Sequence, residues 1–289
     1  PQSTPVSFDE AKARFLEDSQ RRNISRTFND YKRRLGRHFN FSCEVQSVER
    51  KQVMKVISGL SATTSEQSHA FAASRTMMNW CVRHGLIEHS VVPPIKHKTV
   101  ERNRVLSNEE LQSVYHRTQE TPFPFGPIVQ LLLLTGHRRT EVGQMRRSWI
   151  MDNSVTFPEG FAKNKREHRF PLSPMAQNVI EALPNTGDLV FPAATNFEKP
   201  FTTYAWHKAR FDEGLEDVGP YTLHDLRRTF ATIHAKIGTP IHVTEKLLNH
   251  VSGTISGVAA VFNRHSYLEE MQAAMIEYDK YIDSLVDCG

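Results

Sequence analysis

The stretch Thr222-Leu223-His224-Asp225-Leu226-Arg227-Arg228-Thr229 is the most telling in this 289-residue chain. Thr222 and Asp225 have capping-box spacing, in which each side chain satisfies an amide of the other residue, so a helix is predicted to begin here. His224 and Arg227 then fall at i and i+3, side by side near the positive end of the helix dipole. An imidazole, a guanidinium and free amides together suit a phosphate. The plainer alternative is a histidine packed on its own helix.

Three more basic clusters lie around it. Thr135-Gly136-His137-Arg138-Arg139-Thr140-Glu141 follows the apolar run Leu131–Leu134. Alone, it reads first as a helix junction with an ion pair. Lys163-Asn164-Lys165-Arg166-Glu167-His168-Arg169 leads into Phe170-Pro171-Leu172 and reads as a β-hairpin with cations at its tip. A solvated turn is the usual fate of such a charge run. Leu247-Leu248-Asn249-His250 is followed by Val261-Phe262-Asn263-Arg264, and His250 alone would be an ordinary helix-end histidine. With 14 histidines a metal site must be weighed. No HExxH, CxxC or carboxylate-rich cluster accompanies them, so neither a metal nor another cofactor is expected.

The first hundred residues read as four helices. Ser7-Phe8-Asp9-Glu10 is a capping box opening a helix to about Asp18. Ile24, Phe28, Tyr31 and Leu35 make one apolar stripe on a second helix. Its remaining surface, with the residues just before it, carries Arg22, Arg26, Lys32, Arg33, Arg34 and Arg37. A third helix, roughly Val48 to Leu60, buries Val53, Val56, Ile57 and Leu60. A fourth runs from about Ser65 to His84 and stops at Gly85. Val92-Pro93-Pro94 breaks the pattern. A basic linker with Lys96, Lys98, Arg102 and Arg104 follows.

A second capping box, Ser107-Asn108-Glu109-Glu110, starts a new domain, and a Pro-rich break at Pro122 to Gly126 ends its first helix. The next helix has Pro127 at its first position. Residues 148–172 are the clearest sheet: Trp149-Ile150-Met151, Val155-Thr156-Phe157 and a strand ending at Phe170-Pro171-Leu172. After Ser173 the chain reads as helical, apart from Leu189-Val190-Phe191. The predicted domains are therefore 1–94, a linker 95–105, and 106–289.

Net charge is +4, but it is split. Residues 1–104 hold 18 Lys+Arg against 10 Asp+Glu, and residues 105–289 hold 18 against 22. A basic first third points to a polyanion, most simply nucleic acid. No apolar run approaches the ~18 residues of a membrane span, and no signal-peptide core is present. Cys43, Cys81 and Cys288 are too scattered for a disulfide framework, so a reducing compartment is expected. A chain that starts at Pro1 without Met is expected to have lost an N-terminal segment.

Taken in order, the TGxRxxE segment, the cationic hairpin ending in PL, the HxLRxT helix and the LNH segment resemble the tyrosine recombinase (phage integrase) family. Trp80-Cys81…Gly85-Leu86-Ile87 and Val261 to Met271 are most similar to integrases of temperate phages and genomic islands. The resemblance implies a mainly α fold with a small β-sheet: an α-helical core-binding domain plus a mixed α/β integrase-type catalytic domain. Arg138 matches the first catalytic arginine, and His224 and Arg227 match the His–Arg pair. His250 matches the second histidine, Lys163 the hairpin lysine, and Glu141 a supporting acidic position. The departure is at the nucleophile, where the family has tyrosine and this chain has Phe262. Either the chain lost cleavage naturally, or a deliberate Tyr→Phe change preserved shape; the intact remainder of the site favours the second.

The implied activity is site-specific recombination of duplex DNA through a 3′-phosphotyrosyl intermediate, with Phe262 leaving a form that binds but does not cleave. The rivals are a naturally inactive DNA-binding protein on the same fold and a type IB topoisomerase-like enzyme. The implied partners are a duplex recombination site, further copies of the chain (dimer to tetramer on DNA) and an accessory DNA-bending protein, in the cytoplasm at a bacterial nucleoid. The segment Tyr267 to Val286 presents Leu268, Met271, Met275, Tyr278 and Ile282 at helical spacing. It is expected either to dock on a neighbouring protomer or to pack on its own domain.

Overall fold

In the computed structural model, which describes residues 5–60, 64–93, 103–162, 166–250 and 266–286, Ser7 Oγ accepts the Glu10 amide at 3.1 Å and opens α1 (Phe8–Arg22). The reciprocal half of the predicted capping box is replaced, because Glu10 turns to Arg14 one turn on. Helix α2 (Ser25–His38) buries Leu35, with Phe28 and Tyr31 half-buried. Ile24 is the N-cap and 65% exposed, so the predicted stripe is one residue too long. Helix α3 (Arg50–Ser58) buries Val53 and Ile57, while Val56 and Leu60 are only partly covered. Helix α4 (Thr64–Arg83) stops before Gly85, whose φ of +68° is the left-handed conformation expected after a helix end. Phe8, Phe15, Leu35, Phe39, Val53 and Trp80 form the core of this unit, and Trp80 Nε1 donates to Asp18 at 2.8 Å. A lone antiparallel bridge between Ser7 and Glu44 escaped the all-helical reading.

The chain divides into two units, Pro1–Glu101 and Arg102–Gly289. In the second, both halves of the capping box at Ser107 and Glu110 form, opening α5 (Asn108–Glu120). Helix α6 (Phe125–Thr135) starts two residues before Pro127, which stands third in the helix. Ile128, Val129 and Leu131 to Leu134 are all buried. A helix apolar on every side belongs at the centre of a domain, and the other elements pack around α6.

The strands β1 (Ile150–Met151), β2 (Ser154–Phe157) and β3 (His168–Pro171) form an antiparallel sheet in that order. Val155 pairs with Phe170 and Phe157 with His168. Trp149 lies in a 3-10 turn rather than in the first strand. A second hairpin, β4 (Pro192–Ala193) with β5 (Asn196–Pro200), was not foreseen; Leu189-Val190-Phe191 leads into it. The helices α7 (Arg139–Gly143), α8 (Pro174–Glu181), α9 (Tyr204–Asp212), α10 (Leu223–Lys236) and α11 (Ile241–Leu247) and a last helix, Leu268–Val286, complete the unit. No helix among the described residues is long and apolar enough to cross a membrane.

The last helix spends its apolar face within its own domain. Met271, Met275, Tyr278 and Ile282 are buried there, and of the two predicted fates this is the one the structure adopts. Tyr278 Oη donates to Leu133 O at 2.9 Å, tying the helix to α6. Asp279 accepts the Met175 amide at 2.8 Å, at the start of α8. Tyr278→Phe keeps the ring but leaves the Leu133 carbonyl without its donor, and it is expected to cost about 1 kcal/mol in chemical denaturation.

A candidate phosphate-binding site

Gly136 ends α6 at φ +63°, and a Cβ there would lie 2.5 Å from Phe230 Cδ1 on α10. Only glycine both adopts that φ at little cost and lets the two helices approach so closely. The chain then turns through His137 to Arg138, the N-cap of α7. Glu141, 3% exposed, accepts the Arg138 amide at 2.8 Å and its Nη1 at 2.6 Å. The buried carboxylate therefore orients the guanidinium while the rest of that side chain stays partly open.

Arg227 comes from the second turn of α10 and is buried. Its Nη1 donates to Gly136 O at 2.9 Å and its Nη2 to Leu248 O at 2.5 Å. Burial, and then the like charge of Arg138, pull its pKa down to about 10, with Glu141 opposing. It remains a cation at neutral pH. One element of the sequence reading changes here. Asp225 Oδ2 accepts both the amide (2.7 Å) and the hydroxyl (2.8 Å) of Thr222, so that amide is not available to an anion. The exposed His224 one residue earlier is held below the ordinary imidazole range, by desolvation first and then by Arg228, Arg227 and Arg138, with Asp225 opposing.

The Leu-Asn-His segment is a helix stop. Asn249 adopts φ +52°, a conformation that Asn tolerates better than most residues. The His250 amide then reaches back to Glu245 O at 2.9 Å and the Asn249 amide to Lys246 O at 3.0 Å. This pair of reverse bonds is a Schellman motif, and it aims His250 away from the helix axis. Desolvation, then Arg227 and Arg138, lower the pKa of His250; Glu245 raises it and His224 lowers it again. Arg138, His224, Arg227 and His250 thus sense one another's charge, although they come from three segments spread over more than a hundred positions.

Other predicted residues divide three ways. Arg34 is buried 8% exposed against Asp30 at 3.0 Å and Glu66 at 3.6 Å, so it is an internal ion-pair residue and not a DNA-facing cation. Arg104 is likewise committed, to Glu110 and to Gly219 O. In both cases a carboxylate from elsewhere in the unit makes the pairing. Arg22, Arg26, Lys32, Arg33 and Arg37 are exposed, with Arg22 paired to Asp18 and Arg33 to Asp30. Lys96, Lys98, Arg102, Lys163 and Phe262 lie outside the described residues.

Arg139, which the sequence reading passed over, is exposed beside Arg138 with its guanidinium 4.7 Å over the Tyr204 ring. The doubled arginine in the motif was its only signal. Among the described residues no three His, Cys, Asp or Glu side chains gather as a metal site.

On a mostly helical scaffold, two arginines and two histidines from separate segments lie near enough for each charge to bear on the others. Residues 104–258 match the phage integrase family, and the chain belongs to that family. Over 164 residues it is 31% identical to prophage integrase IntZ of Escherichia coli (strain K12), a match covering 55% of this chain and 39% of that protein. The chain thus spans well under half of this relative. A tyrosine recombinase of Thermosipho africanus (strain TCF52B) is 25% identical over 256 residues, covering 80% of this chain and 87% of the other. Among solved structures, a lambda integrase dimer bound to a COC′ core site matches with TM-score 0.70 at 17% identity, over 87% of this chain and 98% of that one. A lambda integrase tetramer bound to a Holliday junction gives 0.71 at 16% identity, over 87% and 80%.

Proposed function

We propose that this chain is a site-specific DNA recombinase in architecture, held at the stage before strand cleavage by the phenylalanine at 262. The single observation that carries the reading is that Arg138, Arg227, His224 and His250, drawn from three separate segments, lie close enough for each charge to bear on the others. In strand transfer, attack on a DNA phosphodiester builds negative charge on its non-bridging oxygens, and preorganised cations are usually the largest source of rate. Arg138 and Arg227 hold those oxygens; His250 donates a further hydrogen bond. His224 takes the nucleophile's proton, and Lys163 protonates the departing 5′ oxygen. In the complete reaction a tyrosine oxygen bonds to phosphorus as the P–O5′ bond breaks, so the phosphodiester energy is kept in a 3′-phosphotyrosyl link. Phe262 has no oxygen to attack with.

The helical unit 1–94 and the linker 95–105 supply further contacts to duplex DNA, through Arg22, Arg26, Lys32, Arg33 and Arg37 on the former and Lys96 and Lys98 on the latter. Dimers and tetramers on DNA are the assemblies named for the lambda integrase structures. The same assembly is proposed here.

The test starts by selecting the duplex that the chain binds from a random pool. Binding is expected to weaken steeply as salt rises, because each phosphate contact releases counterions. A suicide substrate built on the selected site then reads cleavage. The chain as it stands should form no protein–DNA adduct, and Phe262→Tyr should form one. An adduct from the unaltered chain would mean that another residue, Tyr267 first, is the nucleophile. A second reading, a silent DNA-binding protein that has lost more than its tyrosine, is favoured by Phe262 alone. Phe262→Tyr failing to cleave a tightly bound site would establish it.

A further inference from the structure

The short helix α7 ends on a glycine whose reason lies in another element. A Cβ at Gly143 would stand 1.8 Å from Tyr204 Oη, on the first residue of α9. The backbone at Gly143 is helical, and glycine weakens a helix relative to alanine. Conformation therefore does not call for glycine here; the room taken by the Tyr204 phenol does. Phe201 holds the same ring from a second side, edge-on, with centroids 4.9 Å apart and planes at 77°.

The ring held in this way carries Arg139, whose guanidinium lies 4.7 Å from the ring centroid. Burial pushes the Tyr204 phenol up to about 12, so it stays neutral beneath the cation. A guanidinium stacked by its face keeps the N–H donors along its edge free for other partners. Neighbouring arginines are neutralised: Arg138 by Glu141 at 2.6 Å, Arg146 by Asp188 at 2.8 Å and Arg228 by Asp225. Among the described residues no carboxylate pairs with Arg139, and the side chain is exposed. The stack thus orients this cation without cancelling its charge.

Arg139 also stands in a fixed relation to the site already described. Its Cα is about 3.8 Å from that of Arg138, the spacing across one trans peptide. The two side chains then part company. Arg138 turns to Glu141 of its own helix, and Arg139 turns to Tyr204 of α9. Two adjacent guanidiniums anchored on different elements suit two successive phosphates of one strand better than a single one.

We propose that Arg139, laid on the Tyr204 ring, is a second anion contact of this chain, holding a backbone phosphate next to the one held by Arg138 and Arg227. This rests on the reading of Arg138 and Arg227 as the holders of the reacting phosphate. Arg139 touches no reacting atom. Its part is to grip the strand and fix its register, as phosphate contacts do.

The experiment uses the Phe262 chain and the duplex selected above. Arg139→Ala removes an exposed side chain, so the variant is expected to fold. It should bind the duplex about 10-fold more weakly, the scale of one charge-assisted hydrogen bond. The slope of log affinity against log salt should become shallower by about one, because one phosphate contact fewer releases counterions. A methylphosphonate scan, which neutralises one phosphate at a time, then locates the contact. The unaltered chain should lose affinity at a phosphate where Arg139→Ala loses none. That phosphate should adjoin, on the same strand, the one to which Arg138→Ala becomes indifferent.

Tyr204→Leu removes the platform, and Gly143→Ala pushes it aside. Each should weaken binding in the parent but add little in an Arg139→Ala background, since all three act through one contact. Tyr204→Phe keeps the ring and should bind like the parent. Salt-dependent binding with an unchanged slope and an unchanged methylphosphonate pattern in Arg139→Ala would overturn the proposal while leaving the functional reading in place. So would indifference of Arg138→Ala and Arg139→Ala to the same phosphate, or a Tyr204→Leu effect that is equal in both backgrounds. A chain that binds no duplex at any salt would end the functional reading, and this proposal with it.

Discussion

Arg227→Ala, placed in the Phe262→Tyr chain, is expected to lower strand cleavage by about 10³-fold, the upper scale for removing one preorganised donor from an oxyanion site. The expectation is sharper than for most arginines because this one works on both sides. Facing the site, it supplies a cation that stays charged despite its lowered pKa of about 10. Facing inward, it closes the carbonyls of Gly136 and Leu248, and so holds the turn bearing Arg138 and the segment bearing His250. Alanine removes the charge and orphans two buried carbonyls together, each worth about 1–3 kcal/mol when left unpaired. Arg227→Lys keeps the charge but lacks the planar fork needed to reach two carbonyls at once. It is therefore expected to recover little of the rate, even if it recovers part of the stability. Single-turnover adduct formation and urea midpoints separate the two effects. A lysine variant as active as the arginine parent would show that charge alone suffices.

The second large effect is acid instability of the Arg102–Gly289 unit. His168 and His234 are both pulled down to about 4 by burial, and His137 lies well below the ordinary imidazole value for the same reason first. Arg227 and Arg138 add to the shift at His137 and His168. In the unfolded chain these imidazoles titrate near 6.5. Between the two values the unfolded state binds more protons than the folded one, so stability rises with pH across that window. Their contribution is complete above about 6.5. It is lost as pH falls toward 4.

At pH 5, His168 and His234 are each expected to cost about 2 kcal/mol, a large share of the 5–15 kcal/mol that holds a typical domain together. Asp279, whose pKa is raised by burial, works in the opposite direction. Urea denaturation at pH 7 and pH 5 checks this. Trp80 is the only tryptophan of the first unit, so Trp80→Phe leaves Trp149 and Trp206 to report on the second alone. A midpoint that does not move between the two pH values would mean that the three rings are not buried neutral.

Much of the molecule was legible without coordinates because it depends on contacts four residues apart or less. The boxes Ser107–Glu110 and Thr222–Asp225 and the glycine stop at Gly85 are local devices, written as spacings. The same holds for the stops at Gly136 and Asn249, where a left-handed conformation admits few residue types. The motifs on Arg138, Glu141, Arg227 and His250 sit directly beside these stops, so the candidate site came into view with the helix ends. Where local signals compete, they misplace an edge: Pro127 suits a first helical position, yet α6 begins at Phe125.

Tertiary structure alone decided which charges are exposed. Arg33 and Arg34 are neighbours of identical chemistry, and only Arg34 meets Glu66 of α4 and is buried. Arg104 looks like linker charge until Glu110 and Gly219 close on it. His137 and His168 read as members of cationic clusters, but the sheet and α11 enclose them as neutral rings. The last helix has one apolar face that two partners could cover equally well, and it lies on α6 and α8 of its own chain. In each case the deciding contact joins elements far apart in sequence. Its physical content is burial, and burial belongs to the packed elements jointly rather than to any local spacing.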